Sequence, residues 1–334
     1  MTAPQLLPAN VPVAVVGLGL MGKSIAGCLL AAGHPVAAYD NDPARRSAAP
    51  AAMADLLAEL VEDGNLEADT GLANFVVADT LADLAGSRIV FEVITEDFAA
   101  KRSVFAQIEA VVADDTIIAS NTSAIPISLL QQGMAHPGRF VGVHWAEPAH
   151  LTRFLEIIAG NETDPSVGPI LHSLAAHWGK EPSLVKRDIR GFVANRIMYA
   201  MIREAFHLVE TGVATIEDVD RSVRNDVGSW ATLAGPFRWM DLTGIPAYAT
   251  VMTDLMPELC NAAQLPKLMA DMVASGALGT ANAKGFHHYT AESARAWDDA
   301  FRRFSLDIRH LQQNYPENVG NPEAQPRNRS RGEE

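Results

Sequence analysis

The chain has 334 residues, 48% hydrophobic and 20% charged, the balance of a soluble globular protein long enough for two separate cores. A formal net charge of −14 and a pI of about 5.1 argue against nucleic acid and anionic membrane surfaces as partners. No apolar run approaches the roughly 18–20 residues that would span a bilayer.

The first ten residues, Met1 to Asn10, lack the basic end and apolar core of a signal peptide. Residues 12–17 form a short continuous apolar run, the mark of a strand buried on both faces. Gly17-Leu18-Gly19-Leu20-Met21-Gly22 follows, then a helical stretch to about Ala32 and a second apolar run, Pro35 to Tyr39, that ends at Asp40. Strand, glycine turn, helix, strand and acid make a dinucleotide-binding unit, with Asp40 standing 18 residues after Gly22. Gly17 permits the tight turn, Gly19 lets the backbone approach a pyrophosphate at the helix N-terminus, and Gly22 allows close helix–strand packing. Asp40 accepts ribose hydroxyls and would repel a 2′-phosphate, which favours NAD over NADP. Arg45 and Arg46 leave NADP open, because an arginine just past the acid can hold that phosphate. Read otherwise, they belong to a solvated first helical turn.

From Pro43 to about Glu62 the pattern is helical, and Asp63-Gly64-Asn65 is a turn. Phe75–Val77 and Arg88–Val93 read as strands, and the stretch from Phe98 to Val112 as a helix. Thr116–Ala119 is a strand that delivers Ser120 to Ser123 at its carboxyl end, and Phe140–Val143 does the same for His144. Ligands of open parallel sheets bind at that edge. Leu155–Ile158 carries Glu156, Asp164–Trp178 is a helix, and Pro182–Val185 is a last short strand. Beyond Asp188 only helical patterns remain. The expected architecture is α/β: an N-terminal Rossmann doubly wound sheet (1–189), an all-helical C-terminal domain (190–312) and a polar, disordered tail (313–334). The two cysteines, Cys28 and Cys260, read as reduced thiols of a cytoplasmic protein, and no CxxC or HExxH spacing suggests a metal site.

A hydroxyl (Ser123), an imidazole (His144) and a carboxylate (Glu156) thus stand at the ends of short apolar runs. Removing a carbinol proton as a hydride leaves suits a histidine base backed by a carboxylate. The order Gly-x-Gly-x-Met-Gly, Ser120-Asn121-Thr122-Ser123, His144 with Pro148 and Glu156, Gly191-Phe192-Val193-Ala194-Asn195-Arg196 and Lys284-Gly285-Phe286 resembles the 3-hydroxyacyl-CoA dehydrogenase family over roughly residues 12–310. The resemblance implies His144 as general base, Glu156 as its orienter, and Ser123 and Asn195 as hydrogen-bond partners of the reacting oxygen. It implies NAD held by Gly17, Gly19, Leu20, Met21, Gly22, Asp40, Asn121, Glu96 and Lys101, with Glu96 near the nicotinamide ribose. It also implies a homodimer through the helical domain.

Two features depart from the family pattern. Where an asparagine is usual, this chain has Glu147, an acceptor-only charged group that would welcome a donor on the substrate. Glu147 could instead pair with Arg153, or be an exposed rim acid. In addition, no Lys or Arg lies between Arg46 and Arg88, where coenzyme A phosphates would need them, while Asp55, Glu59, Glu62, Asp79 and Asp83 do. A small non-CoA hydroxy acid or related alcohol is therefore expected as substrate, with Glu147 and Arg153 beside it. A 3-hydroxyacyl-CoA ester is the alternative, and a catalytically silent, crystallin-like NAD-binding protein a further one.

Overall fold

The short apolar runs become the strands of one sheet in a computed structural model that describes residues 7–62 and 71–315. The strands are β1 (Val13–Val16), β2 (Val36–Tyr39), β3 (Phe75–Val77), β4 (Ile89–Glu92), β5 (Ile117–Ser120), β6 (Phe140–Trp145), β7 (Phe154–Ala159) and β8 (Glu181–Val185). Their spatial order is β3-β2-β1-β4-β5-β6-β7-β8. Every pairing is parallel except β6 with β7. The order reverses between β1 and β4, and a crevice opens at such a switch point.

Helices cover both faces. Val13 and Val15 of β1 point into a core with Ile25 and Leu29 of α1 (Leu20–Ala31), Met53 of α2 (Pro43–Glu62) and Leu171 of α5 (Val167–His177). Ala14 and Val16 point the other way, to Phe105 and Ile108 of α3 (Phe98–Glu109) and Ile127 of the short α4 (Ile127–Leu130). Period-two alternation on a strand covered twice leaves no polar face, which is why β1 reads as uninterrupted aliphatic residues.

The remaining helices are α6 (Ala194–Glu210), α7 (Ile216–Asn225), α8 (Val227–Leu233), α9 (Pro236–Thr243), α10 (Ile245–Leu255), α11 (Lys267–Ala274) and α12 (Ala291–Asn314). The Thr215 side chain accepts from Asp218 N and starts α7, the capping expected of Thr-x-x-Asp. α6 starts three residues later than the periodicity suggests. Gly191 (φ +77°) and Phe192 (φ +49°) are left-handed and turn the chain before the helix begins. α12 continues two residues past the expected limit of 312. By backbone contacts the chain divides between Arg196 and Ile197, inside α6. The Asp63-Gly64-Asn65 turn and residues 316–334 of the expected tail lie outside the described residues.

Candidate active site

The glycine turn joins β1 to α1, and its three glycines differ in what a side chain would meet. A Cβ on Gly22 would lie 1.8 Å from the Gly17 carbonyl oxygen, and one on Gly17, where φ is +106°, 2.6 Å from that of Val93. A Cβ on Gly19 would meet nothing within 4 Å. The space before Gly19 is the open floor of a cavity of about 810 Å³ that also reaches Leu20, Met21, Asp40, Glu96, Asn121 and Ser123. The residues present fit a dinucleotide: a bare backbone turn at a helix N-terminus for the pyrophosphate, and an acid at the end of β2 for a ribose.

Asp40 is almost fully buried and structurally engaged. Its Oδ2 accepts from Leu18 N at 2.7 Å and its Oδ1 from Asp42 N at 2.8 Å. Each oxygen keeps a second lone pair for a hydroxyl. Arg45 stands 3.5 Å from Asp40 Oδ2, and Arg46 donates to the Asp40 carbonyl while lying over the Tyr39 ring. The arginines are thus tied to Asp40 and its neighbours, and a 2′-phosphate would have to displace Arg45 from a carboxylate.

Beside β5, whose end leads to Ser123, β6 and β7 carry the imidazole and the carboxylate. β6 and β7 are antiparallel, with His144 directly opposite Glu156. The imidazole Nδ1 and Glu156 Oε2 are 2.9 Å apart, and both side chains are buried. A carboxylate only accepts, so Nδ1 carries the proton and Nε2 presents its lone pair. The second oxygen of Glu156 accepts from Val193 N (3.1 Å) and Ala194 N (2.9 Å), the first amides after the left-handed Gly191–Phe192 turn. Burial pushes the Glu156 carboxyl up, but the His144 hydrogen bond, those amides and the imidazole charge outweigh it and hold the group below the ordinary carboxylate range. Phe154 and Phe192 flank the His144 ring at 5.4 and 5.8 Å between centroids.

Ser123 is exposed on the loop after β5, and that loop is pinned from several sides. Glu96 Oε1 accepts from the Thr122 hydroxyl (2.6 Å), Ser123 N (2.9 Å) and Ala124 N (3.1 Å). Asn195 Nδ2 donates to the Ser123 carbonyl at 2.9 Å, and Asn121 Oδ1 accepts from Trp145 N, the residue after His144. Asn195, expected on the reacting oxygen, spends one amide hydrogen on this loop and retains its other hydrogen and its carbonyl oxygen.

Two expected site residues stand elsewhere. The Arg153 guanidinium pairs with Glu181 on the neighbouring strand β8 and not with Glu147. Lys101 is 1% exposed and does not line the cavity; its ammonium sits between Glu92 and Glu96. The Arg153 partner lies 28 residues on and could not be placed from sequence, whereas the Lys101 partners lie nine and five residues back, where only the turn between β4 and α3 decides the pairing. Glu147 is exposed by residue area, yet the desolvation of its carboxyl raises its pKa, with no hydrogen bond or ion pair to offset the burial. Glu92 and Thr122 are site residues that sequence reasoning passed over. The available signal for Glu92 was an acid closing an otherwise apolar strand.

A Rossmann sheet, a glycine cradle and a histidine–carboxylate pair at its carboxyl edge define an NAD-dependent dehydrogenase acting on CH–OH. The chain belongs to the 3-hydroxyacyl-CoA dehydrogenase family: the family's NAD binding domain matches residues 12–189 and its C-terminal domain residues 191–289. It is 34% identical over 302 residues to 5-formyl-3-hydroxy-2-methylpyridine 4-carboxylate 5-dehydrogenase of Mesorhizobium japonicum, covering 90% of this chain and 97% of that one. It is 32% identical to a 3-hydroxybutyryl-CoA dehydrogenase of Bradyrhizobium diazoefficiens over 83% of this chain and 94% of the other. A solved structure of the pyridine enzyme, described as an NAD+ dependent dismutase, superposes with a TM-score of 0.87 at 31% identity, covering 92% of this chain and all of that one. That coverage is about 307 of 334 residues, more than the 290 that precede α12. Among the described residues no helix is long and apolar enough to cross a membrane, and no group of three or more His, Cys, Asp or Glu could hold a metal ion.

Proposed function

We propose that the protein oxidises a small secondary alcohol or hydroxy acid that carries no coenzyme A, with His144 as general base and Glu156 as its orienter. The cross-strand pair carries this reading: the Nε2 lone pair of His144 is fixed by a buried carboxylate that is itself fixed by the start of α6. Bound NAD supplies the hydride acceptor. The chain's own residues do the rest. His144 Nε2 takes the hydroxyl proton, Glu156 stabilises the imidazolium that results, and Ser123 holds the oxygen from the neighbouring strand end. An aldehyde hydrate presents the same H–C–OH unit as an alcohol, so a formyl group is within the same chemistry.

Charge supports a free substrate over a CoA ester. No Lys or Arg lies between Arg46 and Arg88, and the acids there would repel a polyphosphate. The coverage of the pyridine enzyme, which acts on a small ring carboxylate by its name, points the same way. Glu147 is the residue on which substrate choice turns, because its carboxyl has no hydrogen-bond or ion-pair partner among the described residues and a burial cost to recover.

Helices α6 to α11 bury no residue, while Ile197, Met198, Phe237, Ile245, Trp297 and Phe301 of this helical unit are exposed. That pattern supports a homodimer in which a second copy covers this surface.

NADH formation is the test, across free 3-hydroxy acids, hydroxymethyl and formyl ring carboxylates, and 3-hydroxybutyryl-CoA. Turnover of a free substrate is expected, and His144→Gln should lower it about 10²–10⁴-fold. His144→Gln at wild-type rates would remove the base from the account and leave a cofactor-binding protein.

A further inference from the structure

A buried chain of charges runs behind the cofactor cavity. Glu92, with no exposed surface, closes β4 and has both oxygens occupied. Oε2 accepts from the Ser120 hydroxyl at 2.7 Å; Oε1 accepts from Lys101 Nζ at 2.7 Å and Ile94 N at 2.8 Å. The same ammonium stands 3.5 Å from Glu96 Oε2. Glu96 then binds the Thr122–Ala124 turn through its other oxygen.

One ammonium therefore serves two carboxylates, and it is closer to Glu92. Only Glu96 reaches the cavity wall, where 41% of its side chain is exposed; Glu92 and Lys101 are sealed behind it. Burial alone would raise the pKa of the Glu96 carboxyl. The Thr122 hydroxyl, Lys101 and the Ala124 and Ser123 amides outweigh it and leave the carboxyl below its ordinary range. The other charged groups on the wall, Asp40 and Arg45, are paired with each other at the ribose end of the glycine turn. The cavity end shared by Glu96, Asn121 and Ser123 therefore carries a net charge of minus one.

We propose that Glu96 selects the redox state of the coenzyme: its fixed negative charge makes the site hold the oxidised nicotinamide, a cation, more tightly than the reduced, neutral ring. Glu92 and Lys101 are positioning residues for that charge. Glu92 occupies most of the ammonium's field, so Lys101 can anchor Glu96 without cancelling it. Hydrogen bonding to a ribose would not distinguish the two redox states, because both carry the same ribose. The bias speeds release of the reduced coenzyme after an oxidation. The inference rests on the reading that this cavity holds NAD, with the adenine ribose at Asp40 and the nicotinamide at the Ser123 end.

Titration of the full chain with NAD+ and with NADH separates these roles. Glu96→Gln keeps an acceptor for Thr122 and the two amides but removes the charge, and the ratio Kd(NADH)/Kd(NAD+) should fall roughly fivefold to tenfold. Glu92→Gln touches no cavity atom, yet it frees Lys101 to neutralise Glu96, so the ratio should fall in the same direction. If Glu92→Gln does not fold, Glu96→Gln alone decides. Equal weakening of both nucleotides by Glu96→Gln, or no change in either, overturns the proposal. A failure of the underlying reading would look different: the wild-type protein would bind neither nucleotide.

Discussion

In the sheet unit, successive residues of β1 enter two different cores, and many buried polar side chains find partners: His144 with Glu156, Glu92 with Lys101 and Ser120, Gln131 with Thr163 and Pro137. In the helical unit, Ala294 is the one buried apolar residue among those described beyond Arg196, while Phe237 is 79% exposed and Trp297 and Phe304 60%. The first unit closes its core within one chain. The second carries amphipathic helices whose apolar faces exceed what one chain covers. Burial of roughly 800 Å² per partner supports a stable interface, and large apolar side chains are what such an interface needs. The glycine turn and the His144–Glu156 pair lie in the self-contained unit, and the exposed apolar faces in the other.

The most damaging change to the sheet unit short of losing His144 is Glu156→Gln. It removes the charge that stabilises the imidazolium and weakens the anchor of Val193 and Ala194. We expect kcat to fall about 10²-fold and stability by about 1–3 kcal/mol, read from steady-state rates and urea unfolding. The sign of its pH dependence follows from its lowered pKa. Stability contributed by Glu156 is present above the ordinary carboxylate value of 4.5 and is lost as pH falls through the lower folded value. Glu147 has the opposite sign. Its raised pKa means that ionising it in the folded state costs stability as pH rises above 4.5. Glu147→Gln should therefore flatten the stability–pH curve just above 4.5, and Glu156→Gln just below it.

The helical unit is broken differently. Phe301→Asp on α12 should yield monomers by sedimentation and lower Tm by roughly several degrees, with a Tm that no longer falls on dilution. NAD+ affinity should stay within about twofold, since Phe301 lies outside the cofactor cavity. A smaller effect is expected of Glu147→Asn: a shift of roughly threefold to tenfold in kcat/KM between substrates that carry a hydrogen-bond donor and those that do not. Equal kinetics across the panel would make Glu147 a rim residue.

Local signals made most of the sheet unit legible. Uninterrupted aliphatic runs marked β1 and β5, and the glycine turn with Asp40 placed the cofactor. His144 and Glu156 could be paired in advance by their chemistry, but the reason they meet was not local. The antiparallel register of β7 on β6, which sets them face to face, breaks the parallel pattern of the other strands. Lys101 and Arg153 show what sequence could not reach. The resemblance assigns Lys101 to the coenzyme, and Arg153 is expected beside the substrate, yet both side chains pair with acids, Glu92 and Glu181. The late start of α6 depended on a left-handed Phe192, which no propensity indicates.

The measurement closest to the central claim is kcat/KM with NAD+ for the best free hydroxy or formyl carboxylate against kcat/KM for 3-hydroxybutyryl-CoA, on one preparation at one pH. The account predicts that the free substrate wins by at least about tenfold. A CoA ester that is turned over as efficiently, or more so, would contradict it.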